Sequence, residues 1–355
     1  MAVAKRSAPA PQQRAPARRR AAKTAAKTET KAAAKTQLPA FRAVQLATLV
    51  DAVPEGEAWL HEIKFDGYRV LLAASADSAI AYTRSGLDWS DKFPKIVEAA
   101  AALELRSALI DGEAVVLDEK GRSSFQLMQG AWKNARARVV FYAFDLLELD
   151  GEDLTRLPLL ERKNKLAKLI GKRQSGVLRY SDHIVGEGDK LFAEACATGL
   201  EGIIAKRANG RYVGARSESW LKIKCLQRQE FVIAGWTTSD KDRGFRSLIV
   251  AVHDDGKLKY AGKVGTGFDM AEIARLTALM QPLARSAPTV AAPRAAVRGA
   301  NWIEPKLVAE VAFTEMTTDG ILRHPSYVGL REDKPAKAVK LERAKPLQKT
   351  KRKKG

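Results

Sequence analysis

The positive charge of this sequence is concentrated at its two ends. The 355 residues carry a net charge of +20. Residues 1–37 and 334–355 each contain ten Lys or Arg and one Glu, a balance of +9 apiece, which leaves +2 for residues 38–333. The amino-terminal segment has almost no large apolar side chains, so it cannot bury enough surface to offset its ordering entropy. We therefore expect a disordered basic tail at 1–37, a folded body, and a second basic tail from residue 334.

The body is longer than one hydrophobic core usually holds, and its pattern changes near residues 226–228. Before that point, strand-like runs alternate with helices that apolar spacing predicts at 93–103, 158–170 and 189–198. After it, short antiparallel strands, a hairpin turn at 254–256 and one helix at 270–283 resemble a small Greek-key barrel of the oligonucleotide-binding (OB) kind. The pattern predicts an α+β protein with domains at 38–227 and 228–333.

Several classes of protein are disfavoured by what the sequence lacks. No apolar run approaches the roughly 18 residues of a membrane span, and the amino terminus has no apolar core of a secretory signal. The two cysteines, Cys196 and Cys225, do not have metal-site spacing. We expect a reduced, cytoplasmic chain without a disulfide framework and without a membrane partner.

The basic ends have two readings. Clustered Lys and Arg bind polyanions without reading sequence, because they release counterions from phosphates. The same composition also suits solubilising tails that bind nothing. We favour nucleic acid because of the polar groups that the body contains.

The most informative short stretch is residues 62–69, which read Glu-Ile-Lys-Phe-Asp-Gly-Tyr-Arg. Lys64 can act as a covalent nucleophile only as the free amine, so its site should favour deprotonation by desolvation or nearby positive charge. A following carboxylate, glycine and guanidinium would supply a charge partner, a tight bend and a phosphate or ribose clamp. A strand end with a solvated Lys-Asp pair explains the same residues, so this stretch alone leaves both readings open.

Further polar groups lie in apolar, strand-like surroundings downstream. They are Arg84, the Asp-Gly-Glu at 111–113, Phe144-Asp145, Glu201, Lys206, and Lys222 and Lys224. Each has a mild explanation alone, such as a hairpin turn, a core aromatic or a solvated face. Together they supply what nucleotidyl transfer needs: carboxylates for a metal, cations for a triphosphate, an aromatic for a base and an amine to attack phosphorus.

The ordered set of these motifs, ending with Trp-Leu-Lys-Ile-Lys at 220–224, resembles the covalent nucleotidyltransferases, and most of all the ATP-dependent DNA ligases. The run at 322–334 resembles the last motif of the ligase domain of the bacterial end-joining ligase D family. The resemblance covers about residues 38–335. It implies a nucleotidyltransferase domain of ATP-grasp-like antiparallel sheets and helices, followed by an OB-fold barrel.

The resemblance also implies roles for individual residues. Lys64 would attack ATP and carry AMP. The nucleotide would be held by Glu62 and Phe144 at adenine, by Arg69 and Glu113 at the ribose, and by Arg84, Lys206, Lys222 and Lys224 at phosphates, with the DNA 5′-phosphate a second possibility for Arg84. Glu201 would serve the divalent metal, with Glu113 and Asp66 as further candidates. Arg331, Asp333 and Lys334 would swing over ATP from the second domain.

The expected activity is therefore ATP-dependent sealing of 5′-phosphate and 3′-hydroxyl breaks in duplex DNA, in repair or non-homologous end joining. ATP and Mg²⁺, or Mn²⁺, are the implied cofactors. Nicked or broken duplex DNA and a Ku-type end-binding protein are the implied partners of a monomer in the bacterial cytosol. An RNA ligase or a capping-type nucleotidyltransferase is the alternative within the superfamily.

Overall fold

The computed structural model of the protein describes residues 37–131, 138–171, 175–238 and 244–347. Its strands are β1 (Leu46–Leu49), β2 (Gly56–Ile63), β3 (Tyr68–Ser75), β4 (Ala79–Thr83), β5 (Ser107–Val116), β6 (Val139–Leu149), β7 (Glu152–Asp153), β8 (Leu178–Tyr180), β9 (Ile184–Gly186), β10 (Gly202–Arg207), β11 (Arg216–Lys224), β12 (Gln227–Thr237), β13 (Ser247–Asp254), β14 (Lys257–Val264), β15 (Ala284–Arg285), β16 (Ala300–Ile303), β17 (Val308–Phe313), β18 (Glu315–Met316), β19 (Leu322–Arg323) and β20 (Ser326–Leu330). Its helices are α1 (Pro94–Ala101), α2 (Phe125–Ala131), α3 (Leu159–Ile170), α4 (Gly188–Ala197) and α5 (Met270–Met280). Single 3₁₀ turns lie at Gln281–Leu283 and Ala336–Ala338.

Two mostly antiparallel sheets form the part before residue 225. One has the order β1-β11-β10-β2-β9, and the other has the order β4-β3-β5-β6-β7 with β8 beside β6. Strand β3 is buried along nearly its whole length because it is covered on both faces. Val70 and Leu72 pack into the core beneath α1 and α3, whereas Leu71 packs with Trp220 of the other sheet, as the two-residue period of a strand requires. The facing strands of these sheets carry most of the candidate site.

The remaining strands, β12 to β20, form a seven-stranded sheet and the β18–β19 pair, and we call this part of the structure the β domain. Strand β12 is shared within it: its first half pairs with β17, its second half pairs with β16, and its other edge pairs with β13. Strands β13 and β14 are joined by a turn in which Asp255 and Gly256 both have positive φ, +50° and +75°, the backbone that the Asp-Gly sequence favours. Helix α5 packs into this core through Ile273 and Leu276. The predicted α+β fold class is confirmed.

The predicted helices at 93–103, 158–170, 189–198 and 270–283 are confirmed, with small shifts at their ends. Helix α5 begins where Asp269 accepts a hydrogen bond from the backbone N–H of Glu272, a side-chain cap that the sequence displays. Helix α2 and strand β9 were not predicted. They have seven and three residues, too short for a periodic pattern to stand out from a loop.

The expectation of two reduced cysteines is wrong in this structure. Cys196 of α4 and Cys225 form a disulfide with a Cα–Cα distance of 5.2 Å. The two positions are 29 residues apart, and they meet because α4 packs against β10, which pairs with β11. Cysteine spacing could not reveal a contact made by tertiary packing. The cysteine content therefore gives no support for a reducing compartment.

The basic segment that begins at residue 334 lies against the protein as far as Leu347. The backbone of Lys340 forms an isolated β-bridge with His253 of β13. The backbone of Lys345 forms another with Val50, which directly follows β1. We call residues 336–347 the C-terminal strap. Residues from Thr36 onward form one compact unit, so the strap touches both sheet systems of a single body. In the described ranges, no helix combines the length and the apolarity needed to cross a membrane.

Candidate active site

One cleft brings together twelve of the fourteen residues predicted to form the site. Those twelve line its walls: Glu62, Lys64, Asp66, Arg69, Arg84, Glu113, Phe144, Glu201, Lys206, Lys222, Lys224 and Arg331. The other two, Asp333 and Lys334, pair with cleft residues, Asp333 with Arg331 and Lys334 with Glu230. Glu62 and Arg331, 269 positions apart in the chain, thus line the same cleft.

Sheet register explains much of this convergence. Ile204 of β10 stands between Glu62 of β2 and Lys222 of β11, so those two lie in one row of the first sheet. In the second sheet, Arg69 of β3 stands opposite Glu113 of β5. Residues paired across neighbouring strands project on the same side of a sheet. The facing rows of the two sheets therefore meet in the cleft.

Lys64 lies at the end of β2, where its backbone N–H donates to the carbonyl of Gly202 at 3.0 Å. Its Nζ is 2.5 Å from Oε2 of Glu201. Burial disfavours the ammonium form, but the carboxylates of Glu201, Glu113 and Asp66 together outweigh burial, with Glu201 contributing most, and raise the pKa of Lys64 well above its usual value. The expectation that the site keeps this amine uncharged is wrong for the ligand-free protein. A lysine acts as a nucleophile only as the free amine, and the Glu201 carboxylate opposes that form.

Gly202 is required where Glu201 meets Lys64. Its φ is +148°, and a Cβ atom there would lie 2.1 Å from the carbonyl oxygen of Ile223. No side chain fits such a close approach of two backbones. The Glu-Gly pair therefore sets the carboxylate beside the candidate nucleophile.

The predicted base-binding end of the cleft contains a buried charge network. Glu62 accepts hydrogen bonds from Lys163 at 2.8 Å, Lys206 at 2.9 Å and Ser181 at 3.0 Å. The Nζ atom of Lys206 also lies 4.3 Å from the ring centroids of both Phe144 and Trp220. The resemblance implied a phosphate contact for Lys206. In this structure Lys206 instead contacts Glu62 and Phe144, the two residues predicted to hold the adenine.

Arg69 is fixed by two kinds of contact. Its Nε and Nη2 atoms donate to the two oxygens of Asp111 at 2.5 and 2.6 Å, in the fork arrangement that planar guanidinium and carboxylate groups favour. Its guanidinium also lies 4.6 Å from the centroid of Phe144. Tyr212 donates a further hydrogen bond to Asp111 at 2.6 Å. These contacts orient Arg69 across the cleft floor before any ligand arrives.

The side chain of Glu113 has no hydrogen bond or ion pair among the described residues. Burial raises its pKa to about 7, against the opposing charges of Arg69 and Lys64. Since the usual value is near 4.5, the native state holds a proton that the unfolded state releases between about pH 4.5 and 7. The protonated carboxyl therefore stabilises the fold fully below pH 4.5, and that contribution is lost as the pH rises through 7.

This difference predicts the pH dependence of a Glu113→Gln variant. The wild type should lose up to about 3 kcal/mol of unfolding free energy, relative to the variant, between pH 4.5 and 8. Urea unfolding of both proteins at several pH values measures it. A parallel pH dependence of the two proteins would contradict an elevated pKa at Glu113.

The phosphate end contains Lys222 and Lys224 of β11, whose period-two spacing places them on one face. Lys222 pairs with Glu342 at 2.6 Å, and Lys224 donates to the backbone carbonyl of Arg228 at 2.6 Å. Arg84 lines the same cleft without an ion pair or side-chain hydrogen bond in the described ranges. Burial lowers the pKa of Arg84, although a guanidinium stays charged. A half-buried cation without a protein partner is a receptive place for an anion.

The β domain contributes the wall opposite Lys64. Arg331 pairs with Glu310 at 3.0 Å and with Asp333 at 2.9 Å, and its guanidinium lies 4.6 Å from the Phe125 ring centroid. Gln129, one helical turn after Phe125 on α2, donates to the carbonyl of Leu330 at 3.0 Å. The structure therefore shows the β domain seated on α2, with its arginine directed into the cleft.

The predicted metal ligands are only partly assembled. Asp66 is engaged by Arg228 at 2.7 Å and by the backbone N–H of Phe125 at 3.0 Å. Within the described ranges, no group of three or more His, Cys, Asp or Glu side chains is arranged to hold a metal ion. Glu113 and Glu201 do face the cleft. One or two carboxylates completed by substrate phosphates and water is the usual protein site for Mg²⁺, so these two fit that ion.

Sequence reasoning missed several charged residues that the fold places at the site. They are Lys163 on Glu62, Arg162 on Asp145, Arg228 on Asp66, and Glu230, Glu310 and Glu342 in the cleft wall. A signal existed for the pair in α3. Arg162 and Lys163 fall between Leu159 and Leu166 at the three- and four-residue spacing of a buried stripe, and both are fully buried.

Comparison with known proteins was consistent with this site. A family model described as ATP dependent DNA ligase domain matches residues 40–224, and a model described as ATP dependent DNA ligase C terminal region matches residues 241–334. A solved structure described as mycobacterial DNA ligase D complexed with ATP and MES is 35% identical, with a TM-score of 0.60, over 83% of this chain and 97% of that chain.

Two curated relatives show the same likeness. The chain is 40% identical over 320 residues to the multifunctional non-homologous end joining protein LigD of Pseudomonas aeruginosa, covering 88% of this chain and 38% of that protein. It is 36% identical over 285 residues to LigD of Mycolicibacterium smegmatis, covering 79% of this chain and 37% of that protein. The chain therefore spans a little over a third of the length of these relatives. The two family matches show that the chain belongs to the ATP-dependent DNA ligase family.

Proposed function

We propose that this protein joins 5′-phosphate and 3′-hydroxyl ends in duplex DNA through an adenylated lysine. In the first step, Nζ of Lys64 would bond to the α-phosphorus of ATP while the bond to pyrophosphate breaks. In the second, a DNA 5′-phosphate oxygen would take the AMP and free the lysine. In the third, the DNA 3′-hydroxyl would attack the phosphorus of the DNA 5′-phosphate, and the bond from that phosphorus to AMP would break and release AMP. The observation that carries the proposal is the single cleft in which Lys64 meets the base-binding, phosphate-binding and β-domain residues.

The chain's own residues divide this work by position. Glu62 with Lys206 and Phe144 would read and stack the adenine, and Arg69 would lie along the ribose. Lys222 and Lys224 would neutralise charge on the α-phosphate, because phosphoryl transfer depends mostly on positioning and charge compensation. A divalent cation, when bound by Glu113 and Glu201, would supply further charge neutralisation. Withdrawal of Glu201 from Lys64 would then lower the pKa of the amine.

The test is mass spectrometry of the purified protein after incubation with ATP and Mg²⁺, and separately with GTP and Mg²⁺. We expect one AMP on Lys64 and no GMP. Attachment of GMP would favour a capping-type enzyme. In a separate sealing assay, sealing of RNA nicks but not of DNA nicks would favour an RNA ligase. No covalent nucleotide under either condition would refute nucleotidyl transfer.

We further propose that the natural substrate is a break in duplex DNA, in repair or end joining in the bacterial cytosol. Three features support this: the names of the relatives, the basic ends, and a site that needs no base sequence to act on a backbone. A Ku-type protein would bring the monomeric enzyme to ends. The division into domains 38–227 and 228–333, with a tail at 1–37 of which residues 1–36 lie outside the described residues, belongs to the same proposal.

The rate of self-adenylation should depend on the β domain being seated on α2. A substitution at Gly329 can disturb that seating. A Cβ atom at Gly329 would lie 2.8 Å from Phe125 and 2.9 Å from Gln129, both on α2. Gly329→Ala should therefore cost about 1–3 kcal/mol of seating energy. We expect self-adenylation to slow roughly ten- to hundredfold, with much less effect on sealing of pre-adenylated nicks.

Gly130→Ala is the matched control, since a Cβ atom at this glycine of α2 would meet no atom within 4 Å. Single-turnover adenylation of the two variants is the measurement. Wild-type rates in Gly329→Ala would show that the seated arrangement is not the one used for adenylation.

A further inference from the structure

The C-terminal strap is a second connection between the β domain and the sheet that contains β1 and β11. On the β domain, the N–H of Leu341 donates to the carbonyl of His253 at 3.0 Å. On the sheets, the N–H of Lys345 donates to the carbonyl of Leu49 at 2.9 Å, and the N–H of Leu347 donates to Asp51 at 3.0 Å. The β domain cannot turn away from Lys64 while both ends of the strap stay attached.

Between these attachments the strap lowers one carboxylate into the cleft. Both oxygens of Glu342 accept from Nζ of Lys222, at 2.6 and 2.7 Å. Glu342 also lies 3.6 Å from Lys224 and 3.7 Å from Arg216. Its backbone N–H donates to the side chain of Gln229 at 3.1 Å, which fixes the point of entry. Glu342 therefore faces three cations, and two of them are the proposed phosphate-binding lysines.

The charge of the strap makes this placement specific. Glu342 is the single acid among residues 334–355, which contain ten Lys or Arg. Although burial opposes ionisation, Lys222 and Lys224 hold the pKa of Glu342 at about 2, so the group is an anion at neutral pH. A strap of cations would be repelled by a lysine-lined cleft without it. The one anion of the segment is the residue that enters.

We propose that Glu342 occupies the phosphate subsite and competes with the nucleotide for Lys222 and Lys224. This inference rests on the proposed function of that subsite. A carboxylate presents two oxygens to cations much as a phosphate does. The phosphates of an entering ATP must therefore displace Glu342, and displacement pulls on the strap between its two attachments. Nucleotide binding and strap attachment oppose each other, and the coupling is reciprocal.

A different role for Glu342 predicts the opposite effect of its removal on phosphate binding. Burial lowers the pKa of Lys222 to about 8, and Glu342 is the main charge that opposes this loss. If Glu342 served only to keep Lys222 charged, its removal would weaken phosphate binding. If it competes with phosphate, its removal strengthens binding.

The experiment measures ATP binding to Glu342→Gln in a Lys64→Met background, which prevents covalent capture. Glu218→Gln is the matched control, because Glu218 pairs with Lys345 of the same strap at 3.1 Å but lies outside the cleft. We expect Glu342→Gln to bind ATP and inorganic tripolyphosphate about tenfold more tightly, and Glu218→Gln to match its parent. Equal or weaker binding by Glu342→Gln overturns the proposal.

A second measurement follows the strap itself in the otherwise unaltered protein. Saturating ATP should speed hydrogen exchange at the amides of Leu341 and Lys345, whose bonds attach the strap on either side of Glu342. Unchanged exchange at both amides would also overturn the proposal. Neither readout needs covalent chemistry, so the absence of adenylated Lys64 in the wild type would refute the proposed function separately.

Discussion

Lys64→Ala is expected to eliminate covalent attachment of AMP and, with it, all ATP-dependent sealing. Lys64 is the only lysine among the described residues that both lines the cleft and pairs with Glu201. Without an amine at this point there is no acceptor for the nucleotidyl group. The variant should still seal a nick that already carries AMP on its 5′-phosphate, because that step needs no lysyl intermediate. Mass spectrometry and gel assays of the two substrates measure these outcomes.

Lys120→Ala is the control for this variant, since Lys120 is an exposed lysine in the turn after β5. It should adenylate and seal like the wild type. ATP-dependent sealing by Lys64→Ala would remove Lys64 from its proposed role. Loss of sealing on pre-adenylated nicks as well would instead indicate damage to the fold or to DNA binding.

Arg331→Ala should slow self-adenylation by a factor on the order of a hundred or more, the usual cost of removing one charged group that stabilises a developing oxyanion. Arg331 enters the cleft from the β domain and is held by Glu310 and Asp333. Its proposed contact with the nucleotide would exist only when that domain is seated. Sealing of pre-adenylated nicks should fall much less, since pyrophosphate has already left.

Rates for each substrate under single-turnover conditions separate the two effects. Thermal unfolding checks that the buried Glu310 and Asp333 tolerate the loss of their cation, which can cost 3–5 kcal/mol for a buried pair, as a rough guide. Equal losses of adenylation and sealing in a stably folded variant would contradict a role confined to the first step. Arg331→Lys, which retains charge but not the planar fork, should fall between wild type and Arg331→Ala.

Local patterns carried most of the fold. Apolar spacing predicted α1, α3, α4 and α5, and the Asp-Gly turn predicted the β13–β14 hairpin. Helix α2 and strand β9 escaped because their stability comes from packing on other elements rather than from their own periodicity. The Cys196–Cys225 disulfide escaped for the same reason: nothing near either cysteine in the chain records that α4 lies beside the end of β11.

The site was predictable where a residue's role is written into its own motif. The strands that bear Glu62, Lys64 and Lys222 define which side chains share a face, and they do meet in the cleft. The partners of those residues were not predictable, because charge neutralisation in a buried site is arranged by tertiary contacts. Lys163 beside Glu62 and Glu342 beside Lys222 are examples. The predicted charge state of Lys64 was wrong for this reason, because its partner Glu201 lies far away in the chain, next to β10.

The short connector between β11 and β12 joins the β domain to the first sheet, beside the second connection that the C-terminal strap makes. Only Cys225 and Leu226 separate Lys224 from Gln227, and the disulfide ties the first of them to α4. A body joined through so brief a pivot can rotate but can hardly slide. Arg228, next to the pivot, would travel little during such a rotation, whereas Arg331 would sweep a wide arc. With the C-terminal strap released, a rotation at these two residues would move Arg331 away from Lys64 and open the cleft.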